Sequence, residues 1–289
     1  MSDTITSAMV LRDALDQALA ELSAAGVRSA RRDSELLLLH ILGVERPLLF
    51  AHPEHQLTEA QAADYRRLVA RRIAAEPIQY ITGEREFYGL RFTVTPDVLI
   101  PRPETEHLVE AALERISEDS PFRIADVGTG SGAIAVSLAV ARPLATITAL
   151  DISRAALIVA ESNAATHEVA DRIEFREADL LAGIADHSFD MVVSNPPYIA
   201  DGERDTLEVE VREYEPAGAL FAGSTGLEIY RRLIPQAARV LRPGGWLLME
   251  MGVGQQLQLR QLLEGWQEIS VLPDLQGIAR VVIARAPVA

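Results

Sequence analysis

The chain has 289 residues, enough for one large domain or two ordinary ones with a substantial core. It has no cysteine, which excludes disulfides, thiolate metal sites and cysteine nucleophiles, and its net charge of −15 makes it a poor partner for nucleic-acid phosphates. There is no apolar run near the roughly 20 residues of a membrane helix, and no signal-peptide pattern. We therefore expect a cytoplasmic protein with no metal, no membrane association and no direct nucleic-acid partner. A monomer is expected as well, although the sequence does not give the oligomeric state.

The first 75 residues are predicted to form a small helical domain. Apolar residues recur at helical spacing over 10–22, and a second helix is expected over 29–42. A third is expected over 58–75, opening with Thr58 and Gln61 in a capping-box pattern.

Beyond Pro77 the pattern changes from helix to strand. Residues 84–95 predict two short strands around Gly89, a hairpin within a linker of residues 76–100. Apolar strands then alternate with helices across 101–289, which predicts an α/β domain with a mainly parallel sheet. The expected strands are 122–127, 146–150, 173–175, 189–193, 246–251, 268–272 and 278–284.

A glycine-rich loop follows the first strand of this sheet and opens a helix. It consists of Gly128, Thr129, Gly130, Ser131 and Gly132. Glycines let the backbone turn tightly and leave room for a ligand against it. The spacing is G-x-G-x-G, which differs from the G-x-G-x-x-G of a dinucleotide site.

Two carboxylates follow the next two strands. Asp151 ends the second strand, where a carboxylate can accept both hydroxyls of a ribose. Asp179, followed by Leu180, comes after the third strand, where an acidic residue often receives an adenine amino group. Asp151 alone could instead cap the helix that begins near Ser153. The loop and both carboxylates all fall at the carboxyl ends of successive strands, which favours a nucleotide-like cofactor over isolated caps.

This combination resembles the Rossmann-like methyltransferases that use S-adenosylmethionine. "LRPGGW" at 241–246, just before an expected strand, is similar to their sequence at that point. "EISVLPDLQGIARVVIARA" at 268–286 fits the final strand hairpin of that fold, in which one strand is antiparallel. The resemblance implies S-adenosylmethionine as the cofactor.

The stretch "SNPPYIA" at 194–200 directly follows a buried strand. The residue after Pro196 is Pro197, whose nitrogen carries no hydrogen. The carbonyl oxygen of Pro196 is therefore an acceptor with no backbone N–H next to it. The side-chain oxygen of Asn195 and this carbonyl can each accept one N–H of a planar NH2 group, on which Tyr198 can stack. Methyl transfer would then depend mainly on alignment and desolvation. Adenine, cytosine, guanine and glutamine all carry such a group.

Longer segments resemble the HemK/PrmC family, the glutamine methyltransferases of class 1 peptide chain release factors. They are residues 76–110, the glycine loop, "SNPPYI" and residues 213–234, and the similarity spans nearly the whole chain. It implies methylation of the glutamine amide in the Gly-Gly-Gln loop, with residues 1–75 recognising the substrate. By family pattern, the residues that contact the cofactor are 128–132, Asp151, Leu180 and Asn195, and those that hold the substrate are 195–198. Leu180 stands where the family often has an aromatic residue, leaving only an apolar wall beside adenine.

Three other functions share parts of this pattern. An amino-methyltransferase of DNA or RNA bases would need a basic cleft and usually a recognition domain, and the sequence has neither. A glutamine methyltransferase of a ribosomal protein would have nearly identical site motifs. A cofactor-binding module without catalysis is disfavoured by the intact Asn-Pro-Pro-Tyr.

Two charged segments remain to be placed. Arginine pairs at 66–67 and 71–72 lie on the third expected helix, and we expect a solvated face there rather than a docking patch. Residues 201–215 carry seven acids and two arginines directly after the Asn-Pro-Pro-Tyr loop. They form either a rim that attracts a basic peptide loop or an ordinary solvated loop, and the sequence does not decide between these.

Overall fold

The computed structural model describes residues 9–288, and the chain packs into two compact units. One unit holds the residues up to Gly83 together with the segment Val209–Tyr214, and the other holds Glu84–Glu208 and the residues from Glu215 onward. Among the described residues, no helix is both long and apolar enough to cross a membrane.

The first unit is built from helices that bury one apolar stripe each. They are α1 (Leu11–Ala24), α2 (Ala30–Leu42), α3 (Pro47–Ala51), α4 (Glu59–Ile73) and α5 (Ile78–Thr82). The stop after α2 is Gly43, whose φ of 63° is left-handed and suits glycine. The capping box before α4 is confirmed, since Thr58 accepts from the Gln61 N–H and donates its own N–H to Oε1 of Gln61 at 2.9 Å.

The solvated face expected for the arginines of α4 is wrong for Arg72, which is 8% exposed. Its Nε donates to Oδ2 of Asp33 at 2.7 Å, and its Nη1 lies 2.8 Å from a carboxylate oxygen of Glu210. A buried carboxylate such as Asp33 needs a counter-charge, which Arg72 supplies. The segment Val209–Tyr214 packs with the helices through this pair and through Tyr214, whose hydroxyl donates to the Ala74 carbonyl at 2.7 Å.

The second unit opens with the predicted hairpin. Strands β1 (Glu84–Phe87) and β2 (Leu90–Thr93) pair antiparallel and leave a two-residue turn. Both turn residues, Tyr88 and Gly89, have positive φ (51° and 72°), as a type I′ turn requires. Phe87 and Phe92 are buried in the core of this unit.

A seven-stranded sheet forms the centre of the second unit, in the order β5-β4-β3-β6-β7-β9-β8. Its strands are β3 (Phe122–Val127), β4 (Ala145–Asp151), β5 (Ile173–Glu177), β6 (Phe189–Ser194), β7 (Leu241–Glu250), β8 (Gln267–Pro273) and β9 (Ala279–Arg285). The helices of the second unit are α6 (Glu106–Leu113), α7 (Ala133–Ala141), α8 (Arg154–Thr166), α10 (Ala217–Leu220), α11 (Glu228–Val240) and α12 (Gln256–Leu262). Helix α9 (Val209–Tyr214) belongs to the first unit. The predicted fold class is confirmed, because β9 runs antiparallel to both of its neighbours and the pairs from β5 to β7 are parallel.

Alternate residues of the central strands face opposite sides of the sheet. Ile124 and Met191 belong to one buried cluster, and their neighbours Ala125 and Val192 belong to the other. Both faces are therefore covered, which explains why these strands read as continuous apolar runs. The chain order reverses at β3, which lies between β4 and β6, and ligands of open α/β sheets bind beyond the carboxyl ends at such a point.

Strand β7 begins at Leu241, five residues before the expected start at 246. Phe189 pairs with Leu241 and Met191 with Trp246, so extra residues of β7 are accommodated in a bulge. Gly244 within it has a φ of 75°. "LRPGGW" is thus the bulged beginning of the strand rather than a turn before it.

Candidate active site

A cavity of about 390 Å³ opens at the carboxyl ends of β3, β4 and β6, within the size range of small-molecule sites. The predicted site residues that line it are Gly128, Thr129, Gly130, Ser131, Asp151, Asp179, Leu180, Asn195, Pro196 and Pro197. Within residues 9–288, Gly132 and Tyr198 are the predicted site residues outside this lining. One cavity therefore brings the glycine loop, both carboxylates and the Asn-Pro-Pro segment together.

The glycine loop is tied to the end of β4 by its backbone. The N–H groups of Gly128 and Thr129 both donate to the carbonyl of Leu150, at 2.8 and 3.0 Å. Gly128 and Gly130 have φ of 72° and 55°, and a Cβ at either position would meet no atom within 4 Å. These glycines therefore serve the left-handed backbone and keep the space beside it open.

Gly132 packs closely against a neighbouring helix, and its predicted contact with the cofactor stays a prediction. A Cβ there would lie 3.1 Å from Cβ of Ala160, and the φ of Gly132 is 79°. Its lack of a side chain lets α7 begin close against α8. The position outside the cavity lining follows from this packing.

Asp126, at the end of β3, was missed from the sequence. It is fully buried; its Oδ2 accepts from the Thr129 hydroxyl at 2.7 Å and from the Ala135 N–H at 3.2 Å. Its Oδ1 is buried and has no hydrogen-bond partner in the described part of the chain. Burial raises the pKa of Asp126 to about 7. The signal was available, since an aspartate inside an apolar strand is costly without a role.

Asp151 holds the loop as well as lining the cavity. Its Oδ2 accepts from the Gly130 N–H and its Oδ1 from the Ser153 N–H, both at 2.9 Å. The cap of α8 is Ser153, whose hydroxyl accepts from the Ala156 N–H, so Asp151 is not the helix cap. Burial is the main cause that raises the pKa of Asp151. Each carboxylate oxygen keeps lone-pair capacity for a ligand hydroxyl.

Asp179 is engaged in an ion pair at the cavity. Its Oδ2 accepts from Nη2 of Arg232 at 2.5 Å, and both side chains are about half exposed. Leu180 adopts a φ of 55°, which presents an apolar side chain in the lining. An adenine amino group at Asp179 would share the carboxylate with Arg232, so that role stays a prediction.

The side-chain amide of Asn195 is held by a hydrogen bond from its NH2 end. Its Nδ2 donates to Oγ1 of Thr105 at 3.0 Å, and both residues line the cavity. Within residues 9–288, neither Oδ1 of Asn195 nor the carbonyl of Pro196 takes part in a hydrogen bond. Two acceptors on a stiff loop are thus available for an NH2 group, as the sequence predicts.

Tyr198 is partly buried. Its ring packs against the apolar cluster on one face of the sheet, and its hydroxyl donates to Oε1 of Glu250 at 3.3 Å. Burial and the Glu250 charge raise the pKa of the Tyr198 hydroxyl. The stacking role stays a prediction, while the contacts assign Tyr198 to the support of the loop.

The loop is clamped by residues that the sequence did not single out. Nε2 of Gln255 donates to the Tyr198 carbonyl at 2.9 Å. Gly226 has a φ of 72°, and a Cβ on it would lie 2.5 Å from that same carbonyl oxygen. The Ile199 N–H donates to the carbonyl of Leu220. Leu220 and Gly226, from the segment noted only for its resemblance, therefore pack against the Asn-Pro-Pro-Tyr loop.

Residues 101–106, "PRPETE", and the neighbouring Ile100 make a second set of contacts that hold the cavity wall. Arg102 lines the cavity, and its Nη2 donates to Oε1 of Glu215 at 2.5 Å. Oε2 of Glu215 accepts from the Ile100 N–H at 3.2 Å, and Glu215 is 6% exposed. Glu215 and Glu210, which is paired with Arg72, are thus both engaged in ion pairs. They belong neither to an acidic rim nor to an ordinary solvated loop. Within the acidic segment, Asp201–Thr206 is exposed throughout, as are Glu208 and Glu213.

Glu250, the last residue of β7, is linked to Asn195 through Thr105. It is 1% exposed, and its Oε2 accepts from the Thr105 hydroxyl at 2.6 Å. The hydroxyl of Tyr230 donates to its backbone carbonyl at 2.8 Å. Burial raises the pKa of the Glu250 carboxyl to about 7. A glutamate in an otherwise apolar strand, "WLLME", was the signal for this residue.

Two family descriptions match the chain. The PrmC N-terminal domain matches residues 13–83, and the methyltransferase small domain matches residues 105–213. A release factor glutamine methyltransferase of Koribacter versatilis (strain Ellin345) is 47% identical over 280 residues, covering 96% of this chain and 99% of the relative. A protein of the same name from Cereibacter sphaeroides is 45% identical over 280 residues, with the same coverage of 96% and 99%.

Solved structures share the fold at low identity. The catalytic domain of hMettl16, in complex with the MAT2A 3′UTR hairpin 6, has a TM-score of 0.55 at 17% identity and covers 78% of this chain and 82% of its own. The T. thermophilus 16S rRNA N2 G1207 methyltransferase, solved with AdoMet and guanosine, has a TM-score of 0.53 at 19% identity, covering 70% and 49%. At such identities the likeness concerns the fold alone.

Proposed function

Because the chain belongs to the release factor glutamine methyltransferase family, we propose that it methylates the side-chain amide of the glutamine in the Gly-Gly-Gln motif of class 1 peptide chain release factors, with S-adenosylmethionine as methyl donor. One observation carries this proposal. The glycine loop and Asp151 line the same cavity as Asn195 and Pro196, so a cofactor and an NH2 group would meet there.

The residues of the cavity fit S-adenosylmethionine, which when bound supplies a methyl group on a positively charged sulfur. The open backbone at Gly128 and Gly130 leaves space for it, and the carboxylates of Asp151 and Asp179 supply polar groups in the cavity lining. Asp151 would accept the ribose hydroxyls, and Leu180 would form an apolar wall beside the adenine.

The substrate nitrogen needs orientation more than a base. Its lone pair is delocalised into the amide, and an alkylated amide nitrogen loses its proton readily. Oδ1 of Asn195 and the Pro196 carbonyl would each accept one N–H, favouring a more tetrahedral nitrogen with its lone pair aimed at the methyl donor. Pro196 and Pro197 stiffen the loop, so little ordering is needed on binding.

The helical unit is proposed to recognise the release factor outside the Gly-Gly-Gln loop. It packs as a separate unit around its own core, and the PrmC N-terminal domain match falls within it. The full-length enzyme should therefore have a much higher kcat/KM for intact release factor than for a short Gly-Gly-Gln peptide. Equal values would leave the unit with a structural role only.

The chain is further proposed to act in the cytoplasm as a monomer, without direct contact to nucleic acid. The net charge of −15 and the absence of cysteine support this. Sedimentation of the purified protein tests the monomer.

The overall proposal is tested by incubating the enzyme with radiolabelled S-adenosylmethionine and separate substrates. Label should enter class 1 release factor and should be absent when the Gly-Gly-Gln glutamine is replaced by glutamate. Label in a ribosomal protein, DNA or RNA, with none in the release factor, would contradict the proposal and identify the alternative.

A further inference from the structure

A line of hydrogen bonds runs from the Asn195 amide to a buried carboxyl group. Nδ2 of Asn195 donates to Oγ1 of Thr105 at 3.0 Å, and the Thr105 hydroxyl donates to Oε2 of Glu250 at 2.6 Å. Asn195 and Thr105 line the cavity, whereas Glu250 is 1% exposed and is outside the lining. Glu250 is thus two hydrogen bonds away from the amide and does not touch a ligand in the cavity.

The chemistry of the partners sets the direction of each bond. A threonine hydroxyl has one hydrogen, and an ionised carboxylate can only accept. With Glu250 ionised, Thr105 gives its hydrogen to Glu250 and offers only a lone pair to Asn195. That lone pair selects the NH2 end of the Asn195 amide and leaves Oδ1, an acceptor, for the ligand.

Protonation of Glu250 allows the direction of these hydrogen bonds to reverse. A neutral carboxyl can donate to Thr105, whose own hydrogen is then free to turn to Asn195. The amide would rotate to accept it and present its NH2 end to the ligand. A donor facing the NH2 group of a substrate amide cannot hold it.

We propose that Glu250 is a positioning residue that fixes, through Thr105, which end of the Asn195 amide meets the substrate nitrogen. This inference rests on the proposed function, because it takes the substrate to be a side-chain amide. We call the two hydrogen bonds from Asn195 through Thr105 to Glu250 the relay. Loss of the relay should lower turnover and leave cofactor affinity almost unchanged, because the proposed cofactor contacts of Asp151 and the glycine loop involve neither Thr105 nor Glu250.

The charge on Glu250 depends on groups from several elements. The hydroxyl of Tyr198 donates to its Oε1, Glu104 and Arg280 act on it through space, and Tyr230 holds its backbone carbonyl. Burial dominates and raises the pKa of Glu250 to about 7, so the carboxyl group changes its protonation state near neutral pH. Burial also raises the pKa of Asp126, which lies outside the cavity lining, to about 7, which is why the test compares variants rather than a single profile.

The first arm of the test uses Thr105→Val and Thr105→Ser in the full-length enzyme. Valine keeps the shape of threonine without the hydroxyl, and we expect roughly a tenfold or greater loss of single-turnover methyl transfer to release factor. Serine keeps the hydroxyl and should restore most of that loss. Cofactor Kd from calorimetry should differ little among the variants. Thr166→Val, on the exposed face of α8, is the matched control and should behave as wild type.

The second arm measures Glu250→Gln against wild type from about pH 5.5 to about pH 8.5. Wild-type turnover should rise relative to the variant as pH passes through about 7, because only the wild type has a carboxyl to ionise there. A constant ratio, in protein that binds cofactor normally, would overturn the inference, and so would a fully active Thr105→Val variant. A wild type that fails to methylate release factor would instead count against the proposed function.

Discussion

Replacing Asn195 by alanine tests whether this residue orients the substrate or merely holds its loop. The variant loses one hydrogen bond, to Thr105, while Pro196 and Pro197 still stiffen the backbone. A bond of this kind contributes about 1 kcal/mol, so the protein should fold. Removing one oriented partner from a catalytic site lowers turnover by about 10²–10³, or roughly 3–4 kcal/mol of transition-state stabilisation.

The assay is single-turnover methyl transfer to release factor, with cofactor Kd measured in parallel by calorimetry. We expect the rate to fall by that factor and Kd to change only modestly. Asn195→Asp is the sharper comparison, because it keeps the shape and an acceptor but adds a negative charge beside the positively charged methyl donor. It should bind the cofactor at least as tightly as wild type and still react slowly, since that charge is dispersed in the transition state. Near-normal rates for Asn195→Ala would refute this account of the loop.

The remaining predictions concern the cofactor, the clamp on the loop and the buried glutamate. Asp151→Ala should weaken S-adenosylmethionine binding by roughly 1.5–3 kcal/mol, and unchanged affinity in calorimetry would exclude the ribose contact. Gly226→Ala places a Cβ 2.5 Å from the Tyr198 carbonyl oxygen and should lower both stability and turnover. Gly254→Ala is the control: its φ is 83° but a Cβ there would meet nothing within 4 Å, so it should show only the backbone strain. Equal effects of the two substitutions would contradict a role of Gly226 in holding the loop. The pKa of Glu250 rises from 4.5 to about 7, so the folded state binds more protons than the unfolded state between those values and loses stability as pH rises through them. Glu250→Gln should remove this loss, on the order of 3 kcal/mol, and urea unfolding that shows the same pH dependence in both proteins would contradict it.

Much of the fold could be predicted because local signals agreed with the global arrangement. The capping box at Thr58, the turn at Gly89 and the alternation of apolar strands each have one common structural outcome. The start of β7 was misplaced because "LRPGGW" carries turn residues, and only pairing with β6 shows that they form a bulge inside the strand.

The site was predictable where the chemistry is local. The loop containing Gly128, Asp151 and Asn195 could be placed in one cavity because each follows a parallel strand, and such ends share one edge of the sheet. Thr105 lies 90 residues from its partner Asn195 and Glu250 lies 145 residues from Thr105, so no sequence spacing links them.

Charge was the least predictable property of individual residues. Arg72 sits among other arginines on a helix with a polar surface, yet it is buried against Asp33. Glu215 ends an acidic run but is sequestered by Arg102. In both cases the ion pair joins residues far apart in sequence, so a count of nearby charges could not reveal it.

The most direct test of the central claim is mass spectrometry of the Gly-Gly-Gln peptide from class 1 release factor after incubation with the enzyme and S-adenosylmethionine. Fragmentation should place a single added methyl group on the side-chain nitrogen of the glutamine, and the Asn195→Ala enzyme should produce far less of it in the same time. A methyl group on another residue of the release factor, or an unmodified peptide despite bound cofactor, would contradict the account.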